Sequence, residues 1–508
     1  MLCRCRVETR KKECRVLLVT PSEESDCESG FGVKWMPLAT HLCLKLQWAE
    51  ETIRADSMTI DTALTSSMDN VSEEKKKYDA VFLLGLRASM DDDKMETLIK
   101  LVDGQSDASL ATSTAAVFAF GCEDEKQFAQ FARIGSTTTT SSGLKSRWEL
   151  LPWNNRTTKT ITEAQETAAS LFARCDADDA MYAMLILIDK VGGNDGGVQL
   201  VRQTKRDPDF GSVICIADKC GEEVIACLTD EACRKAISEL SECPDADQVC
   251  QYQAIVRNET PNFENFSRCV LQSHNCLGNS ATIPTQPDPE PMRSWRGEAL
   301  TNEAAERIFI GWLAEGEKYS WRVIAGKNPA YDAFPCQYQI FYYRGDAETK
   351  KKRSFWYDPV FKVMLNSGTT ATSTSAADDD NAAPQSVWRR RNYRVRRDAA
   401  DVGRFKFTVL DNGVLSDERW TIVDAGDALE FAVFYYRGAA AAAGQSYTGA
   451  VICSRDGSWP EEDDVTKSRI VDACRRCGIE PFELKFVCND NCSGAPLDLE
   501  SDAMLADS

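Results

Sequence analysis

The stretch RFKFTV, residues 404–409, alternates strictly: Arg404, Lys406 and Thr408 suit water, while Phe405, Phe407 and Val409 suit a core. A period of two is what a β-strand with one wet face requires. Comparable short runs flank it at 321–325, 337–344, 361–365, 389–395, 419–423, 429–436 and 447–454. Eight short strands with mostly hairpin-length connections describe a closed antiparallel barrel, a size whose interior holds one small apolar ligand; a β-sandwich would give the same pattern. A helix near 466–477 and a last strand at 482–487 complete the region. The long loop at 366–386, rich in Ser, Thr, Ala and Asp, is expected to be disordered.

Directly upstream, eight of the 21 cysteines fall between Cys215 and Cys276, spaced C-x4-C-x6-C-x5-C-x9-C-x6-C-x18-C-x6-C among helix-favouring residues. Two cysteines seven apart on one straight helix lie about 10 Å apart, beyond disulfide reach, so any bridge within a C-x6-C pair needs a turn between its members. Gly221 offers one after Cys220, and Pro244 another within Cys243–Cys250. A zinc site would show C-x2-C knuckles, and this block has none, with His274 as its single histidine. Disulfides in an oxidising compartment are therefore expected, with 105 pairings open to eight cysteines.

Before the cysteines, nearly continuous apolar runs at 15–20, 79–86 and 115–120 read as strands buried on both faces, alternating with helices at 91–102, 123–134 and from a Thr162/Gln165 capping box to about 174. The glycine-dense VGGNDGG at 191–197 lacks the strand, helix and lysine of a phosphate loop and reads as a plain turn. The expected organisation is multidomain α+β: an N-terminal α/β domain at 15–208, a disulfide-rich helical domain at 209–282, an extended proline-rich linker at 283–295 that separates rather than packs, the eight-stranded antiparallel β-barrel at 296–494, and an acidic tail at 495–508.

The totals narrow the function. A net charge of −20 argues against a nucleic-acid partner. The one basic run, WRRRNYRVRR at 388–397, reads as a solvated strand edge, with contact to an anion or lipid headgroup as its alternative. No uncharged apolar stretch reaches 18 residues, the best candidate being 181–188, so no membrane-spanning helix is expected. The basic start, MLCRCRVETRKKECR, has no apolar core and does not read as a secretory signal as it stands.

The cysteine block followed by NPAYDAFPCQ (328–337), FYYRG (434–438) and YTGAV (447–451) resembles the violaxanthin de-epoxidase family, most closely its related proteins with an added N-terminal domain. The resemblance covers about residues 213–494 and makes the barrel lipocalin-like. It implies a plastid protein of the thylakoid lumen with possible peripheral contact to the thylakoid membrane. It further implies an oxidoreductase that reduces violaxanthin-type xanthophyll epoxides with ascorbate, needing no metal, with a non-catalytic lipocalin for a carotenoid or other long apolar ligand as the alternative. Carried over cysteine by cysteine, it implies the pairs Cys215–Cys233, Cys220–Cys227, Cys243–Cys250, Cys269–Cys276 and Cys336–Cys492.

Removing an epoxide oxygen requires a proton donor as that oxygen leaves, and a greasy barrel keeps a carboxyl protonated for the task. The family carboxylate ahead of a strand tryptophan corresponds to Glu418 before Trp420, one methylene longer, and a family tyrosine is Tyr436. These are the expected proton donor and polarising group. Asp332, Gln337, Trp420 and Cys453 are the expected substrate contacts. Cys453 stands where the family has a second tyrosine, and Pro335 where it has a further aspartate. Only His41 and His274 are present, both outside the barrel, so any acid response would have to use carboxylates. Cys474 and Cys477, in CRRC, read as a spare pair rather than a redox centre, because no thioredoxin-like context precedes them.

Overall fold

The computed structural model describes residues 13–22, 29–63, 78–86, 116–122, 132–133, 155–191, 198–203, 209–244, 247–345, 354–365, 385–499 and 503–504. The chain divides into two compact units, Met1–Arg202 and Gln203–Ser508, so the cysteine-rich helices and the barrel belong together. The expected helix at 91–102, the glycine-dense loop, the loop at 366–386 and most of the acidic tail lie wholly or mostly outside the described residues. Among those described, no helix is long and apolar enough to cross a membrane.

The first unit is a parallel sheet of β1 (Cys14–Thr20), β2 (Ile53–Thr59), β3 (Ala80–Leu84), β4 (Ala116–Phe120) and β5 (Ala132–Arg133), in the order β2-β1-β3-β4-β5. That is a doubly wound order. Strands β3 and β4 are buried throughout, as their uninterrupted apolar runs predict. Helix α1 (Trp35–Ala49) buries Trp35, Leu38, Ala39, Leu42, Cys43 and Leu46, spaced as one helical face. Two local expectations need correction. Ala132–Arg133 is a strand, not the end of a helix. Thr162 lies inside helix α2 (Asn155–Phe172), because no glycine or proline interrupts the seven residues before it.

The second unit is built on eight antiparallel strands, each paired with the next: β6 (Trp321–Gly326), β7 (Tyr338–Arg344), β8 (Ser354–Met364), β9 (Ser386–Arg390 and Tyr393–Arg397, interrupted at 391–392), β10 (Arg404–Asp411), β11 (Val414–Ala425), β12 (Phe431–Ala440) and β13 (Gln445–Ser454). Pairing of β13 with β6 closes the barrel. The β10–β11 turn is Asn412-Gly413, both with positive φ, the two-residue hairpin whose twist matches its strands. Inward side chains Phe405, Phe407, Trp420, Phe434 and Phe341 are buried, and Phe309 enters among them from helix α3 (Asn302–Ile310). The Phe309 ring centroid lies 4.7 Å from those of Phe341 and Phe434 and 4.9 Å from Phe405, which fills one end of the barrel. Trp321 locks that plug by donating its indole N–H to the Ile308 carbonyl at 2.9 Å. Outside the barrel, helix α4 (Asp464–Arg476) packs Ile470, Ala473 and Cys474 against Val433, Tyr435 and Ile452. Cys474 and Cys477 are free buried thiols there, not a bonded pair.

The opposite barrel end is covered by the cysteine-rich helices α5 (Phe210–Lys219), α6 (Gly221–Thr229), α7 (Glu231–Glu242), α8 (Gln248–Arg257) and α9 (Pro261–Ser267), the last running into a π-helical turn, Arg268–Ser273. Their disulfides are Cys215–Cys276, Cys220–Cys269, Cys227–Cys233 and Cys243–Cys250, and Cys336–Cys492 clasps the barrel. Two of these match the pairs implied by resemblance; Cys215–Cys233, Cys220–Cys227 and Cys269–Cys276 do not form. The reason is that α6 runs unbroken from Gly221 to Thr229 and holds Cys227 two turns from Cys220. The chain instead breaks at Asp230, which brings Cys227 to Cys233, while Cys215 on α5 and Cys220 at its C-terminal end staple the returning segment at 269–276.

Charges fasten this cap to the barrel. Arg391, at the interruption of β9, pairs with Glu259 of the cap and, at 2.7 Å, with Asp411; Arg389 reaches Glu259 at 3.0 Å. Asn412 donates to the same Glu259 carboxylate at 2.9 Å, and Tyr252 of α8 stacks on Tyr331 with the hydroxyls 2.6 Å apart. The proline-rich segment does not separate domains either. Arg437 donates to the carbonyls of Pro284 and Thr285, Tyr435 to that of Pro287, and Arg404 and Arg437 both pair with Asp288, tying the segment along the barrel wall. Its lack of backbone donors at prolines leaves carbonyls for outward-facing arginines to meet.

Removing one member of a buried charge cluster leaves the others uncompensated, at a cost of about 3–5 kcal/mol. Arg391→Ala is therefore expected to lower the unfolding free energy of the intact oxidised protein by that amount in a denaturant titration. A loss under about 1 kcal/mol would show that the clasp is not what holds the cap.

Candidate functional site

Four adjacent strands, β10 to β13, bring the inward residues into two rows. One row is Phe407, Glu418, Gly438 and Tyr447; the next is Phe405, Trp420, Tyr436 and Gly449. The glycines have a steric reason. A Cβ on Gly438 would meet the Tyr447 ring at 2.4 Å, and one on Gly449 would meet the Tyr436 ring at 2.4 Å, so each tyrosine lies flat over the glycine opposite it.

Glu418 is buried, 4% exposed, and both its oxygens accept hydrogen bonds: Oε2 from the Trp420 indole at 2.5 Å, Oε1 from the Tyr447 hydroxyl at 2.8 Å. Burial pushes its carboxyl up to about 7, against the downward pull of hydrogen bonds from Trp420, Tyr447 and Tyr393. Below neutral pH, this carboxyl holds its proton next to apolar rings. Trp420 also stacks on Tyr436, centroids 5.1 Å apart, and on Phe407 at 4.6 Å, so one indole both fixes the carboxyl and forms a wall.

Tyr436 accepts a hydrogen bond from the Asn328 amide at 2.9 Å, and burial followed by the fields of Asp332 and Glu418 holds its phenol well above the ordinary range. It therefore stays a neutral donor. Asn328 caps a single helical turn, Pro329–Asp332, whose fixed proline φ starts that turn.

Of the residues singled out from sequence, Glu418, Trp420 and Tyr436 come together. Asp332 instead accepts the backbone N–H of Asn328 and lies against Gly326. It thereby positions Asn328. Gln337 spends both amide hydrogens on the carbonyls of Tyr331 and Phe334, at 3.0 Å each, and holds the entrance loop. Cys453 is inward and fully buried among Val323 and other core side chains, and burial holds its thiol protonated. It lies six residues along β13 from Tyr447, about 20 Å at strand rise, toward the Phe309-filled end. Tyr447, Tyr393 and Asn328 were not singled out from sequence. Tyr447 was legible: YTGAV has the same inward parity as Cys453, and β13 supplies a phenol to the carboxyl despite the cysteine. Asn328 was not, because its reach depends on how the entrance loop folds back.

The fold, the cysteine-rich cap and a buried carboxyl among phenols now stand together. A family model for the VDE lipocalin domain, named for violaxanthin de-epoxidase, matches residues 212–491. The chain belongs to the violaxanthin de-epoxidase lipocalin family. It is 25% identical over 135 residues to the chloroplastic violaxanthin de-epoxidase of Arabidopsis thaliana, covering 26% of either chain. It is 24% identical over 131 residues to that of Nicotiana tabacum, covering 25% of this chain and 24% of the relative. The matched segment thus spans about a quarter of these relatives. A solved structure of apocrustacyanin C2 aligns over 42% of this chain and 96% of its own, with 13% identity and a TM-score of 0.23, a level from which nothing is inferred.

The raised carboxyl has a thermodynamic consequence. A carboxyl whose folded pKa exceeds its unfolded value binds its proton more tightly when folded, so its contribution is full below about 4.5 and is lost as pH rises through about 7. The span corresponds to roughly 3 kcal/mol. Glu418→Gln, which keeps the acceptor but cannot ionise, is expected to flatten the decline in unfolding free energy between about pH 5 and pH 8. An unchanged pH profile would place the titration elsewhere.

Proposed function

We propose that this chain is a xanthophyll-epoxide reductase of the plastid, with ascorbate as the electron source. The observation that carries the reading is the buried Glu418 carboxyl, held between the Trp420 N–H and the Tyr447 O–H one row from the Tyr436 phenol, with burial pushing it up to about 7. An epoxide oxygen must take up two protons and leave as water while two electrons arrive and the carbons gain a double bond. Ascorbate, oxidised to dehydroascorbate, supplies that electron pair and the net hydrogens. Glu418 delivers the first proton to the oxygen in an apolar surrounding where charge separation is otherwise costly, and Tyr436, oriented by Asn328, polarises it. Tyr447 and Trp420 then stabilise the carboxylate left behind, which is re-protonated from the reductant.

Oxidising conditions fit the five disulfides seen among the described residues and favour the thylakoid lumen over the stroma. A substrate that resides in a bilayer also implies peripheral membrane contact. A second reading is a lipocalin that binds a carotenoid or other long apolar ligand without transforming it, and the aromatic lining of the barrel, with Phe407, Trp420, Phe434 and Tyr436, suits such a ligand.

Purified oxidised protein in lipid micelles, with violaxanthin or another epoxidised xanthophyll and ascorbate, is expected to convert pigment, followed by chromatography. Glu418→Gln should reduce the rate at least a hundredfold and Tyr447→Phe about tenfold, both with pigment binding retained. Binding without turnover in the wild type would leave the lipocalin reading, and neither binding nor turnover would remove both.

A further inference from the structure

The outer face of the barrel carries a row of like charges set by strand register. Arg396 of β9 lies opposite Lys406 of β10, Lys406 opposite Arg419 of β11, and Arg419 opposite Arg437 of β12. All four alternate with inward core residues and so point outward. Four strands at about 4.8 Å spacing make a line roughly 14 Å long. Arg394 extends it one step up the wall, opposite Trp356 of β8.

Like charges directly opposite one another destabilise a sheet, and the chain as a whole carries −20, so acidic residues are abundant elsewhere. Yet the row is little neutralised. Arg437 is taken by Asp288 and the proline-rich segment, and Lys406 has Asp398 at 3.7 Å. Asp398 also lies within the field of Arg419, and Arg394 and Arg396 have no hydrogen-bond or ion-pair partner among the described residues. Asp417, on the same face, accepts from Thr408 at 2.7 Å. The same wall also exposes apolar side chains: Leu410 and Leu415, paired across the β10–β11 hairpin, are 46% and 39% exposed.

We propose that this wall, built on Arg394, Arg396, Lys406 and Arg419, docks the barrel onto the anionic headgroups of a lipid bilayer. The inference deepens the membrane contact under the proposed function by naming its face and lipid class. Three features select a bilayer over a small anion or a nucleic acid. The cations lie on an open wall rather than around a pocket, so they match a sheet of charges more than a single ligand. An exposed leucine pair beside them suits insertion below headgroups, which a polyanion in water does not offer. The acidic remainder of the chain would be repelled by the same surface, which leaves this wall to face it.

The test uses the full oxidised chain and co-sedimentation with vesicles, either of phosphatidylcholine alone or with about one third phosphatidylglycerol, and reads no pigment chemistry. Binding is expected to the phosphatidylglycerol vesicles, to vanish in about 0.5 M NaCl, and to be absent on phosphatidylcholine. The triple variant Arg394→Gln, Arg396→Gln, Arg419→Gln should bind on the order of a hundredfold more weakly, since each basic residue near such a surface contributes about fivefold. The single variant Arg396→Gln serves if the triple one misfolds. A paired change on α4, Lys467→Gln with Arg475→Gln, should bind as the wild type does. Equal binding to both vesicle types, a triple variant that binds like the wild type, or wild-type capture by heparin or DNA but not by vesicles would each overturn the proposal. Because pigment conversion in micelles is scored separately, loss of vesicle binding with turnover intact rejects this face and not the enzyme.

Discussion

The placement of one carboxyl inside a closed barrel governs much of this molecule. Glu418 points inward because it shares parity with Trp420 and Ile422 on a strand whose outward set is Asp417, Arg419 and Thr421. A single ionisable group among phenylalanines is tolerated when it stays protonated or its oxygens are paired, and here both conditions are met. The two glycines, the stacked indole and the flattened tyrosines are the arrangement that makes this possible. The same burial strengthens the hold of that carboxyl on its proton.

The cap and the plug divide the barrel. Phe309 fills one end with aromatic contacts, and the cysteine-rich helices cover the other through Glu259, Arg391 and the Tyr252–Tyr331 stack. The cap is therefore part of the candidate site's surroundings rather than a separate module. Its disulfides fasten first helix to last, so a helical layer too thin for a large core of its own keeps a fixed shape over the mouth. On the outer wall, the strand register that orders the interior also aligns the basic row, since alternate residues of the same strands supply both faces.

Much was legible in the residues. The alternation of 404–409 and its neighbours gave barrel strands, although β11 and β12 each run several residues beyond the expected ends, because residues such as Arg437 and Asp417 keep the period without looking apolar. Glu418, Trp420 and Tyr436 could be paired with family positions. Asp332 and Gln337 could be located but not assigned, since a polar side chain that ties a loop and one that meets a ligand have the same composition. The disulfide pairs could not be chosen from spacing: whether a helix continues or breaks between two cysteines is decided by capping at Asp230, a local competition that cysteine intervals do not record.

By itself, the sequence determined the period of the strands, the presence of an oxidised helical block, and the identity of a carboxyl ahead of a tryptophan. These follow from chemistry that is local along the chain. Only the tertiary structure decided that the Tyr447 hydroxyl would meet Glu418, that Asn328 would return to reach Tyr436, that the proline-rich segment would lie along the wall, and that four basic residues from four strands would form one row. Each of these depends on which residues face each other across strands or loops, and that register is fixed by barrel closure and packing among segments distant in the chain.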